Sequence, residues 1–321
     1  DQMSTMSSAA IAIVIGLAAF ERLIRADLFR RLLGDVSLYQ GITIHDVGAA
    51  ADKGIPLGGP LALALRWSIA RDCGVSTPRF SAAFIAYGVF AGFSLWGLPA
   101  IWLGVEVAVG SPGPTEIAGF TVITTVLVGS VAFWALLLGS DRAGAWLIRQ
   151  VDRLWAAVSR RVALARRIDA VDGVIEMRDA MRTMAAGWFG PMARILGAHI
   201  ASALILLVAL REFGVGPELG TVEFARIYFV VTLLGSFVPT PGGVGVIEAG
   251  MTAALVEAGV DTASALAGVL VYRLLTYVAP IVLGAILYAV WRLGHRDGPV
   301  LTAAPDDVHP DDAGGPADPV P

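Results

Sequence analysis

Residues 236–250 read SFVPTPGGVGVIEAG and lie within a long apolar stretch. Pro239 and Pro241 block helix hydrogen bonding, and Gly242, Gly243 and Gly245 weaken the helix further. In a bilayer such a break leaves backbone N–H and C=O groups unsatisfied, at a cost of several kcal/mol each. The break must therefore be buried in protein or face a water-filled cavity. A helix resuming at about Val246 puts Glu248 in its first turn, where a carboxylate suits the positive end of the helix dipole.

The rest of the chain supplies the apolar setting. Its 321 residues are 56% hydrophobic and only 16% charged, with a mean hydropathy of +0.72. Soluble domains carry about 25% charged residues. Long apolar runs alternate with short arginine-rich ones, and roughly 20 apolar residues suffice for a helix to cross a bilayer. This predicts an all-α, polytopic integral membrane protein. The clearest spans are 80–109, 117–139, 186–210 and 264–292. A shorter one, about 8–24, carries Glu21 and Arg22 at its end. Two further apolar regions, about 42–72 and 222–258, are interrupted by Pro and Gly.

Cytoplasmic loops collect Lys and Arg. Arg22, Arg25, Arg30 and Arg31 follow the first span; Arg66, Arg71 and Arg79 precede the second; nine arginines lie in 142–182; Arg292 and Arg296 follow the last span. Placing all of these inside gives one consistent topology, with a cytoplasmic C-terminus. Within the connection at about 141–185, Leu147, Val151, Leu154, Val158 and Val162 share a helical face. That suits an amphipathic helix on the anionic inner leaflet, or one packed on the protein's own cytoplasmic side. The membrane domain is expected over 1–296. Residues 297–321, rich in Pro and Asp without apolar periodicity, are expected to be a disordered tail.

A second broken segment, AAADKGIPLGGPLALALRW at 49–67, has Pro56, Gly58, Gly59 and Pro60 after Asp52 and Lys53. The topology makes it enter from the inner side, whereas the break at 239–245 enters from the outer side. Paired Gly/Pro-broken segments of opposite orientation point to a transport site at a repeat interface. Half-helix N-termini inside the membrane favour anions, phosphate among them. Arg273, deep in the last span, needs a partner or an aqueous cavity. Glu248 is one candidate, and a lipid phosphate gripped in bidentate fashion is another. Lys53 and Arg66 are either the equivalent cations near the inner leaflet or snorkelling interfacial side chains.

The run FVPTPGGVGVIEAG, with LVEAGV and LVYRLLTYVAPIVLGAIL after it, resembles the lysylphosphatidylglycerol synthase/flippase transmembrane family. PLGGPLALALRWSIARDCGVS resembles that family's first block, and together these cover about 10–294. The resemblance implies two re-entrant hairpins, a bacterial cell membrane as the setting, and movement of lipids between leaflets. Its cargo would be an anionic or aminoacylated phospholipid, a polyprenyl-linked sugar or a hopanoid. Carried onto this chain, the motif residues are Pro239, Pro241, Gly242, Gly243, Gly245, Glu248 and Arg273. The aminoacyl-transferase domain of bifunctional members is not seen in this sequence.

Two rivals stand beside this reading. An enzyme needs a nucleophile, an acid/base pair or a metal site. None is legible: Cys73 is the single cysteine, the four histidines are far apart in sequence, and GFSLWG lacks the hydrolase-elbow spacing. No cofactor and no nucleic acid are expected. A membrane scaffold for a separate lipid-modifying enzyme would need neither broken helices nor buried charge. A homodimer rests on the resemblance and on the Gly88/Gly92 pair, a spacing common by chance that close packing within the chain explains better.

Overall fold

A computed structural model describes residues 6–110, 112–159, 170–238 and 240–294. Every regular element among them is helical. Helix α1 spans Ser8–Leu33, α2 Leu38–Gly54, α3 Gly59–Asp72, α4 Thr77–Val109 and α5 Pro114–Gly139. Two further helices, α6 (Asp141–Ser159) and α7 (Ala170–Ala186), lead to α8 (Phe189–Glu212). After α9 (Thr221–Gly235) and a 3₁₀ turn at Pro241–Gly243 come α10 (Val246–Glu257) and α11 (Thr262–Arg273). A π-helical turn at Leu274–Val278 joins α11 to α12 (Ala279–Gly294).

Helices α4, α5 and α8 and the continuous Thr262–Gly294 rod are long and apolar enough to cross a membrane. The outer surface agrees. Only Ile123 and Leu137 of α5 are buried, while Val122, Phe133 and Leu136 are 60%, 54% and 63% exposed. Water would penalise such a face; lipid does not. The chain is a multi-pass membrane protein.

Three placements differ from the sequence reading. The first apolar segment does not end near residue 24. Ser7 caps α1 and Gly34 closes it at φ +98°, so Glu21, Arg22 and Arg25 lie within one continuous helix. Arg66, counted among the arginines that mark the cytoplasmic side, lies in the middle of helix α3. Gly88 and Gly92 serve no close packing within the chain, since an added Cβ at either would meet nothing within 4 Å. Pro239, residues 160–169 and the tail at 297–321 lie outside the described residues, as do the side chains on the apolar face expected of α6.

Each Pro/Gly-broken region folds as two helices packed against one another, α2 on α3 and α9 on α10. In the first, Leu57 takes φ +54° and Gly58 lies so close to the Ala51 carbonyl that a Cβ would collide with it. In the second, Gly242, Gly243 and Gly245 take φ of +57°, +68° and +84°, which β-carbon-bearing residues adopt at a cost. Helix α2 packs along α12, where Gly284 lets the Asp46 carbonyl and Ala50 approach. Helix α1 packs on α8. Two apolar clusters flank the site, one around Tyr228, Met251 and Val269 and the other around Phe29, Ile44 and Phe80.

The arginine-rich end is fastened by side chains on helix ends. Arg79 donates to the Leu33 carbonyl at the end of α1, and Arg178 and Arg182 of α7 donate to the Leu137, Ser140 and Leu138 carbonyls ending α5. These bonds satisfy carbonyls that a helix C-terminus leaves free.

Candidate functional site

The two breaks meet at the π-helical turn. Arg273 Nε donates to Glu248 Oε1 at 2.6 Å, and its Nη2 donates to the Gly242 carbonyl at 3.0 Å. Glu248 also accepts the Gly245 N–H at 2.7 Å, capping α10. The Arg273 guanidinium lies 4.4 Å from the centre of the Tyr277 ring. On the other side, Tyr277 Oη donates to the Lys53 carbonyl at 2.8 Å, and Lys53 Nζ donates to the Thr276 carbonyl at 2.6 Å. One turn of the last transmembrane rod therefore holds both breaks. Such π-turns recur at functional sites, where they free a carbonyl or turn a side chain.

Beside this junction is a cavity of about 450 Å³. Five cationic side chains line it: Arg22, Arg25, Lys53, Arg66 and Arg273. Three carboxylates, from Glu21, Asp46 and Asp52, line it too, leaving a formal excess of positive charge. His45, His199, Tyr87, Tyr228 and Tyr272 complete its polar wall. So dense a set of charges within an apolar helical body is rare and makes the cavity the candidate site.

Most of these charges are already satisfied. Arg22 donates to Asp46 at 2.5 Å, and Asp46 also lies 2.8 Å from His45 Nδ1. Arg25 pairs with Glu21 one turn earlier on α1. Arg273 is bound to Glu248. His199 Nδ1 meets the Ser94 hydroxyl at 2.6 Å. Arg66 is different: it lines the cavity and forms no hydrogen bond or ion pair with any described residue. Gly48 lies against the Arg66 stem so closely that a Cβ would overlap it, and this seats the side chain. A guanidinium so held presents several donors in a planar fork suited to phosphate or carboxylate.

The residues singled out in sequence divide accordingly. Arg273, Lys53 and Arg66 line the cavity. Pro241, Gly242 and Gly243 line a second cavity of about 400 Å³ on the other side of the junction. Glu248, Gly245, Gly58 and Gly59 line neither; they shape and cap the breaks. The α10 N-terminus does not wait wholly open for an anion, because Glu248 takes its first N–H. Sequence reading missed Glu21, Arg22, Arg25, His45, Asp46 and His199 as site residues. The available signal was ionisable residues inside apolar helices, with Glu21 and Arg25 four residues apart and so on one face. Among the described residues no group of three or more His, Cys, Asp and Glu could hold a metal ion.

No curated protein and no solved structure matches the chain. Both breaks, the π-turn and every charge lining the cavity fall within residues 3–284, the stretch that matches the Lysylphosphatidylglycerol synthase TM region, and the chain belongs to that family.

Proposed function

We propose that this chain is a lipid translocase that carries a phospholipid or other lipid with a phosphate-bearing headgroup between leaflets. The single observation behind this is Arg66, a cation that lines the cavity and forms no direct hydrogen bond or ion pair with a described residue. A charge in that setting is costly unless an aqueous anion or a guest meets it. A headgroup phosphate supplies the charge and geometry that Arg66 lacks, with Arg25 and Lys53 on the same wall. Membership in a lipid-related membrane family supports the same class of cargo.

In this reading the acyl chains stay in lipid while the headgroup occupies the cavity. The hairpins α2–α3 and α9–α10 are re-entrant, and they shift about the junction to expose the cavity to each leaflet in turn. No covalent step is assigned to the chain, which acts as a carrier and not as a synthase.

The test is translocation by the purified chain in liposomes containing fluorescent phosphatidylglycerol, lysyl-phosphatidylglycerol or a polyprenyl-phosphate analogue. Wild type should move at least one of them, and Arg66→Gln should reduce that rate at least about tenfold, in line with one lost charge-assisted contact. If folded wild type moves none of them, the proposal fails.

A further inference from the structure

The 450 Å³ cavity and the 400 Å³ cavity across the junction share two lining residues, Asp52 and Thr232. They form a neck. On one side of it stand the five cations; on the other, the lining side chains include Leu57, Ser236, Thr240 and Ile247 but no Lys or Arg. Asp52 is the single charged residue on that second wall. Its carboxylate forms no hydrogen bond or ion pair with a described residue, although Lys53 and Arg66 are within electrostatic reach. Its Oδ1 lies 3.9 Å from where a Cβ on Gly59 would stand, at the start of α3. Thr232 turns its hydroxyl back to the Tyr228 carbonyl at 2.7 Å.

We infer that the two cavities join in one passage with its neck at Asp52 and Thr232, and that Asp52 is its charge filter, setting how readily headgroups of different net charge cross from one cavity to the other. This rests on the translocase reading above. A headgroup leaving the cationic cavity gives up its favourable contacts and meets a fixed negative charge. For a headgroup that is only anionic, this is a like-charge encounter. For a headgroup carrying phosphate and an ammonium group together, the ammonium meets Asp52 attractively while the phosphate is still among the arginines. The neck thus favours headgroups bearing both charges. Both effects come from one carboxylate, so the discrimination is removable at one position.

The experiment measures translocation of fluorescent phosphatidylglycerol and phosphatidylethanolamine in parallel by the full chain in liposomes. For Asp52→Asn the ratio of the anionic to the zwitterionic rate should rise about threefold or more. Asp52→Glu should keep the wild-type ratio. Thr232→Asp, which adds a second carboxylate at the same neck, should shift the ratio the other way and gives an independent reading if Asp52→Asn folds poorly. An unchanged ratio in both Asp52→Asn and Thr232→Asp, or equal loss of both rates in Asp52→Asn, overturns the filter. Those results leave the translocase reading standing, provided wild type moves either lipid. Absence of any movement by wild type is the separate failure of that reading.

Discussion

The phenol of Tyr277 donates a 2.8 Å hydrogen bond to the backbone carbonyl of Lys53, 224 residues away in the chain. One turn earlier, Arg273 holds the Gly242 carbonyl and Glu248 of the other break. A single π-helical turn is thus the common anchor of two hairpins that are remote in sequence, and it forms part of the cavity wall. Displacement at either hairpin reaches the other through these bonds.

Glu248→Ala leaves Arg273 buried without its counter-ion. Breaking a pair of this kind costs about 3–5 kcal/mol. We expect a marked fall in the thermal unfolding midpoint in detergent. The double variant Glu248→Ala/Arg273→Ala should recover part of it, because the stranded charge is gone. Additive losses in the double variant would show that the two side chains are not energetically coupled.

Tyr277→Phe removes the bond to Lys53 while keeping the ring beneath Arg273. The expected cost is about 1 kcal/mol, concentrated at the first break. Amide exchange at residues 54–58 should quicken, with little change in α5. Protection identical to wild type at the break would count against this coupling.

Gly284→Ala pushes a methyl group against the Asp46 carbonyl and Ala50. Backbone cannot step aside cheaply, so a loss of about 1–3 kcal/mol is expected. Gly88→Ala provides the contrast: its Cβ meets nothing within 4 Å, and Gly88 lines the cavity. That variant should unfold as wild type does, whatever its effect on transport. Thermal melts of the two variants side by side decide the matter.

Arg178→Ala and Arg182→Ala uncap the carbonyls ending α5 and release Asp141, which Arg182 holds by a 2.8 Å bond. Exchange at residues 136–141 should rise while lipid translocation stays near wild type. The Arg182 hydrogen bond, with its charge, holds Asp141 below the ordinary aspartate value of 3.8. The attachment is therefore complete at neutral pH and weakens as pH falls below that value, so acid should reproduce part of the Arg182→Ala effect.

The candidate site was legible only in part. Pro241 and the glycines around Gly242 announce a break because their backbone preferences act locally, and Arg273 stands out as a charge in an apolar run. Lys53 was visible beside the first break for the same reason. Arg22 and Arg25 were not. A short arginine-rich run at the end of an apolar segment reads as a loop, and nothing local shows that Ser7 and Gly34 bound a single helix reaching Leu33. His45 and His199 lie 154 positions apart in the chain yet line the same cavity. No spacing rule joins them.

By itself, then, the sequence determined the membrane setting, the helical class and the two places where helix had to stop. Those follow from hydropathy and from the backbone limits of proline and glycine, which depend on near neighbours alone. Tertiary structure decided which charges would be spent on one another. It paired Arg22 with Asp46, Arg25 with Glu21 and Arg273 with Glu248, and left Arg66 and Asp52, though within electrostatic reach of one another, without a direct hydrogen bond or ion pair to a described residue. Pairing depends on distance between helices that only packing sets, so which charges find a direct partner cannot be read from their spacing in the chain.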